Sequence, residues 1–184
     1  MIIRDDALTL LRHYLKKENM IKHSLAVEAI MRALARKLSR DEELWGLTGL
    51  LHDLDYEYTS ENPHEHGVVT CQIVDGLLPT EGMDAIKAHN YQYTGQTPVH
   101  TLEKALIAAD AVSGLIIATA LIIPSKKLAN VKIENLLNKF DDKSFAKGCD
   151  RRRISVCYDF SVTLKEFLDL SLKALQEIAS DLGL

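Results

Sequence analysis

The stretch ALIAADAVSGLIIATALIIP, residues 105–124, constrains the fold of this chain more than any other feature. It approaches the length of a membrane span, which takes about 20 predominantly apolar residues, yet Asp110 stands inside it. An unpaired carboxylate in lipid is costly, so the expectation is a buried core helix. No membrane association is expected. The remaining segments must then supply the cover.

That cover reads as helical almost throughout. Asp5 or Asp6 can cap a first helix carrying Ala7, Leu8, Leu11 and Leu15 on one stripe. A second helix over residues 20–38 carries Leu25, Ala29 and Ala33, with Ile21, Val27, Ile30 and Leu34 widening its apolar face. After the break at Ser39 and Asp41, a third over 41–53 carries Leu44, Leu47, Leu50 and Leu51. Helices over 65–78 and 81–90 follow, with Pro79 as the stop between them, then the long helix over 100–122 and a shorter one over 131–139. Residues 141–160 read as irregular or short helical structure. The last helix, over 162–181, opens at Ser161 or Thr163 and repeats Leu164, Phe167, Leu168, Leu172, Leu175 and Ile178. Two aromatic loops remain, 54–63 with Tyr56 and Tyr58, and 90–98 with Tyr91 and Tyr93. No alternating strand of convincing length occurs. The expectation is an all-α fold, one helical domain over residues 1–184, burying roughly 70% of the surface its unfolded form exposes.

Charge and cysteine usage narrow the function classes. With 22 basic and 26 acidic residues the net charge is −4, unlike the basic footprint of a general nucleic-acid binder. Arg151, Arg152 and Arg153 form the one dense basic cluster, read as a solvated face. Cys71, Cys149 and Cys157 are odd in number and form no CxxC pair, so neither a disulfide framework nor a thiolate zinc site is signalled, and a reducing cytoplasm fits. Asp5 and Asp6 interrupt the position of a signal-peptide core, so secretion is not expected.

Histidines occur at 13, 23, 52, 64, 66, 89 and 100. Taken singly, each is an ordinary surface or core residue, and His13 and His100 keep that reading. Three settings differ. His23 interrupts the apolar start of the second helix, His52-Asp53 closes the third, and Asp110 interrupts the most apolar helix in the chain. A buried carboxylate needs a cation, a histidine or a metal, and convergence of these groups would satisfy all of them at once.

The order His23, His52-Asp53, Asp110, with 29 residues from His23 to His52 and 57 from Asp53 to Asp110, resembles the H…HD…D signature of the HD superfamily of metal-dependent phosphohydrolases. The resemblance organises residues of about 20–125, with the helices over 131–182 expected to pack on that region. It implies an HD-type helical bundle and a metal held by His23, His52, Asp53 and Asp110, with His52 and Asp53 at the catalytic centre. Many two-metal members carry two more histidines before the last aspartate. His66 in HEHG and His89 in IKAHNY stand there, and His64 competes with His66. Asp53 would then bridge a second ion. Imidazoles and carboxylates suit Mn, Fe, Co, Ni or Zn, one or two ions, and a bound metal lowers the pKa of its water toward 7 while polarising a phosphoryl oxygen.

One departure matters. Several members read HDIGK here, with a lysine able to meet substrate phosphate; this chain reads His52-Asp53-Leu54-Asp55-Tyr56. Replacement cations are Lys87, Lys104 and Lys126 with its neighbour Lys127, each of which also reads as an ordinary surface lysine. Tyr56 and Tyr91 are placed to stack on a nucleobase. The resemblance implies a phosphomonoesterase or phosphodiesterase acting on a small phosphorylated molecule, with nucleotides among the candidates. Two other readings stand beside it: an HD module that binds a nucleotide signal without turnover, and a di-iron oxidative enzyme. The apolar long and C-terminal helices could support a homodimer.

Overall fold

A computed structural model describes all residues, 1–184, and every regular element is helical. The order is α1 (Arg4–Tyr14), α2 (Glu18–Leu38), α3 (Glu42–Leu51), α4 (Tyr56–Thr59), α5 (Val68–Ile73), α6 (Thr80–His89), α7 (Tyr91–Thr94), α8 (Thr101–Ile122), α9 (Ile133–Asp141), α10 (Arg151–Ser155), α11 (Leu164–Glu177) and α12 (Ala179–Leu182). Short 3-10 turns cover Leu128–Asn130 and Val156–Phe160.

The apolar helix α8 is the axis of the bundle. By length and composition alone it could cross a membrane, but 13 of its 22 residues are buried inside the chain. It is covered by α2, α6, α9, α10, α11 and the 156–160 turn. Each fully buried leucine or isoleucine on these faces contributes about 1.5–3 kcal/mol of transfer free energy. The apolar stripe of α11 is used within the chain: Phe167 is fully buried, edge-on to Phe160 at 6.3 Å between ring centroids.

Helices α2 and α3 make the closest pairing, and a glycine permits it. A Cβ at Gly49 would lie 2.9 Å from Met31 Cγ and 3.1 Å from the Val27 carbonyl. The buried Glu28 carboxylate ties α1 to α2, accepting from Arg4 Nε at 2.7 Å and Arg32 Nε at 2.9 Å. Together these contacts set His23 on α2 opposite the end of α3.

Several boundaries differ from the sequence reading. Helix α1 starts at Arg4 after Ile3, with no side-chain cap; Asp5 and Asp6 occupy its first turn, where carboxylates favour the positive end of the helix dipole. Asp41 does cap α3, accepting from Leu44 N at 3.0 Å. The helix expected over 65–78 contracts to Val68–Ile73, with turns on both sides. Two causes lie upstream of it. Gly67 adopts φ 83°, and its amide together with that of Thr70 bonds the Asp55 carboxylate, each at 2.8 Å, instead of continuing a helix backward. A side chain at Gly67 would also strike the Ile86 carbonyl at 2.9 Å. The last helix is capped by Thr163, which accepts from Glu166 N, and breaks at Ile178 before α12.

Candidate metal centre

Four histidines converge on one carboxylate. His52 Nε2 lies 3.3 Å from Asp53 Oδ1, while His66 Nε2 and His89 Nε2 each lie 3.4 Å from the same oxygen. His23 Nε2 approaches the other oxygen, Oδ2, at 3.6 Å, and stands 3.3 Å from Asp110 Oδ1. Two ligand groups result, His23-His52-Asp53 and Asp53-His66-His89, in each of which the donor atoms lie within 4.8 Å of one another. Asp53 belongs to both.

Local structure sets the tautomer of every ring. His52 caps α3 and its Nδ1 donates to the Gly49 carbonyl at 2.8 Å. His89 ends α6 and repeats the arrangement with the Ile86 carbonyl. His66 Nδ1 donates to Asp55 Oδ1 at 2.8 Å. Ser113 donates its hydroxyl to the Asp110 carbonyl, so His23 Nδ1 must be the donor across the 3.2 Å contact to Ser113 Oγ. With all four Nδ1 atoms acting as donors, four Nε2 lone pairs face the Asp53 and Asp110 carboxylates. Nothing in the chain satisfies that convergence of acceptors. His52 Nε2 is buried without a hydrogen-bond partner, and His66 Nε2 faces His89 Nε2 at 3.0 Å. Only protons or a cation can occupy such a place, and neutral imidazoles fixed through Nδ1 beside a carboxylate are a donor set for divalent transition metals.

The charge balance agrees. Burial disfavours the charged form of His23, but the hydrogen bond to Asp110 and the charges of Asp110 and Asp53 lift its pKa above the usual histidine value. His66 is lifted in the same way, against burial, by Asp55 and Asp53. For His52 burial wins, and its pKa falls to about 4. Burial also disfavours ionised Asp53 and Asp110, yet the surrounding histidines hold Asp53 well below the carboxylate range, and His23 with Arg153 does so for Asp110. Among the histidines, the nearby carboxylates therefore favour a proton on His23 and His66, and burial disfavours one on His52.

The cavity above these groups has a volume of about 570 Å³ and includes His23, Asp53, Tyr56, His66, His89 and Asp110 in its wall. His64 is elsewhere: it is exposed, with Nδ1 3.1 Å from the Tyr93 carbonyl. The proposed cations are also absent from that wall, as is Tyr91. Lys104 turns to Asp159 at 3.8 Å, Lys126 is exposed beyond the C-terminus of α8, and Lys87 lies on the α6 flank near Cys71. Helix geometry sends Lys87 and Lys104 to other faces than the ones carrying His89 and Asp110.

Two residues unremarked as functional in sequence shape the centre. Asp55 is fully buried and orients His66 while holding the Gly67 turn. Arg153 donates from Nη2 to Asp110 Oδ2 at 2.8 Å and to the His89 carbonyl at 2.9 Å. The reading of residues 151–153 as a solvated face is thereby corrected. Arg152 is solvated, but Arg151 spends its guanidinium on six backbone carbonyls between Lys139 and Cys149, and Arg153 enters the cavity. Asp55 had a local signal, a third acidic group two residues beyond the HD pair. Arg153 had none, since 43 residues separate it from Asp110.

Geometry thus defines a helical protein with a His/Asp cluster able to hold a metal. Residues 20–115 match the HD domain family, just over half of the chain, and the chain belongs to that family. The family is that of metal-dependent phosphohydrolases. Among curated proteins it is similar to ribonuclease Y of Clostridium perfringens, 33% identical over 98 residues, and of Nitratidesulfovibrio vulgaris, 31% identical over 97 residues. Those alignments cover 52% and 53% of this chain but only 18% of each relative, so the likeness is confined to one part of much longer proteins. No solved structure matches the chain.

Proposed function

We propose that the protein hydrolyses a phosphate ester of a small molecule, a nucleotide being the first class to test, with one or two Mn, Fe, Co, Ni or Zn ions at the Asp53 centre. The supporting observation is the set of four Nε2 lone pairs aimed at Asp53 and Asp110, with each Nδ1 already committed. In this reading His23, His52, Asp53 and Asp110 hold one ion, and His66 and His89 with Asp53 hold a second. A divalent ion so held supplies Lewis acidity toward a phosphoryl oxygen and lowers the pKa of a water. The water oxygen bonds to phosphorus, the ester P–O bond breaks, and the alcohol leaves with a proton. His52, fully buried, is suited to hold its position rather than to exchange protons with solvent. Tyr56, edge-on to His66 at 5.8 Å between centroids and half-exposed at the cavity mouth, is suited to cover the organic part of the substrate.

A second reading follows from the relatives named ribonuclease Y: an RNA phosphodiester as substrate. The net charge of −4 and the modest cavity favour the small molecule. Protein loaded with Mn²⁺ or Co²⁺ should release phosphate from an aryl phosphate and from members of a nucleotide panel, and Asp53→Ala should abolish release with helicity retained. Cleavage of a short RNA with no release from mononucleotides would reverse the preference. Tight nucleotide binding without product under every metal would favour a non-catalytic module, and oxygen-dependent turnover with iron would favour oxidative chemistry.

A further inference from the structure

The cavity over Asp53 adjoins a second one of about 340 Å³, and the two share His23, Asp110, Gly148 and Arg153 in their walls. Arg153 is the sole lysine or arginine lining either cavity. A phosphate ester brings up to two negative charges into this space, and beyond any metal held at Asp53, Arg153 is the cationic side chain placed to meet them.

Arg153 has the donors to spare. Its two bonds to the chain both come from Nη2. Nε is buried with no acceptor, and Nη1 makes no hydrogen bond within the chain, which leaves three of five N–H groups uncommitted. Nε is shut off from the cavity, but Nη1 is not, and its two unpaired N–H groups are the ones an oxyanion in the cavity can reach. The support is rigid: Arg151, two residues earlier, fastens the 139–149 segment by its six carbonyl contacts, and Asp150 caps α10 at Arg152 N. A guanidinium presents a planar fork matched to phosphate, which a lysine does not.

We propose that Arg153 is the phosphate-binding residue of this cleft, taking the place of the lysine absent after His52-Asp53 and gripping phosphoryl oxygens where the two cavities meet. The inference rests on the phosphohydrolase reading and names the residue that recognises its substrate class. Its alternative is that Arg153 only orients Asp110 as a metal ligand through the 2.8 Å bond to Oδ2, in which case its removal weakens metal binding and leaves phosphate binding untouched. A phosphate-binding Arg153 competes with a cation for Asp110; its removal leaves metal affinity unchanged or higher.

The test uses the full chain loaded with Mn²⁺. Inorganic phosphate binding is measured by calorimetry, Mn²⁺ affinity by chelator competition, and KM and kcat on the best ester found. Arg153→Met is expected to weaken phosphate binding tenfold or more and raise KM, while Mn²⁺ binds at least as tightly as in the wild type. Arg153→Gln, which can still bond the His89 carbonyl, carries the same expectation if the methionine variant fails to fold. Unchanged phosphate binding with weakened Mn²⁺ affinity overturns the proposal and leaves the phosphohydrolase reading standing. Metal-loaded wild type that neither binds phosphate nor hydrolyses any ester overturns both.

Discussion

Replacing Asp55 with asparagine tests whether the tautomer of His66 is set from behind. The buried carboxylate accepts from His66 Nδ1 through Oδ1, and from Gly67 N and Thr70 N through Oδ2, all at 2.8 Å. An amide can keep its carbonyl toward the two backbone donors, which places its NH2 against His66 Nδ1. The ring must then turn Nδ1 into an acceptor and carry its proton on Nε2, aimed at His89 Nε2 and Asp53. Two hydrogen bonds to a charge become bonds to a neutral oxygen, a loss of about 1 kcal/mol each. For a chain of this size the resulting ~2 kcal/mol lowers Tm by about 4–8 °C. Metal affinity at the His66-His89 site falls tenfold to a hundredfold, the usual effect of losing the partner behind a ligating histidine. Metal analysis and Co²⁺ titration of Asp55→Asn against wild type read this directly, with thermal unfolding alongside. A variant that loses stability yet binds both ions as tightly as wild type refutes the tautomer argument and reduces Asp55 to a staple for the Gly67 turn.

Acidification should strip metal from the centre. The pKa values of His23 and His66 are raised above the usual histidine value by Asp110, Asp53 and Asp55, so protons compete with a cation for these rings more strongly than at an ordinary histidine. Apparent affinity, followed by chelator competition, should fall by one to two decades per pH unit on going from pH 7 to 6; a pH-independent affinity would count against these ligands. In the chelated protein the sign for stability differs by residue. The contribution of His23 and His66 is complete below pH 6.5 and is lost as pH rises through their folded values. His52, depressed to about 4, removes ~3 kcal/mol as pH falls from 6.5 to 4, because the unfolded chain takes up a proton that the folded one refuses. Urea midpoints in EDTA should therefore peak near pH 6.5, and a monotonic rise toward pH 9 would contradict the assignment. Phe167→Ala, at a fully buried ring between α11 and the core, should cost about 3–5 kcal/mol in urea unfolding; a loss under 1 kcal/mol would mean that α11 is not seated as described.

What could be read in the chain alone was whatever repeats locally. Helical periodicity identified the bundle, and the apolar run at 105–124 marked its axis, because side chains three and four apart share a face whatever surrounds them. The order of His23, His52, Asp53, His66, His89 and Asp110 was visible too, and all six meet within one centre. The contraction of the 65–78 helix was not visible, since it follows from Asp55 capturing two amides from 12 and 15 residues away. Nor was the separation of His66 from His64, which Asp55 and the Tyr93 carbonyl decide. Three consecutive arginines have one local signature, yet one faces solvent, one binds a loop of carbonyls and one enters the metal cavity. Sequence determines which residues share a helix face; only the packing of α10 against α8 determines that Arg153 meets Asp110, because a guanidinium's partner is set by proximity in space and leaves no mark on the residues beside it in the chain.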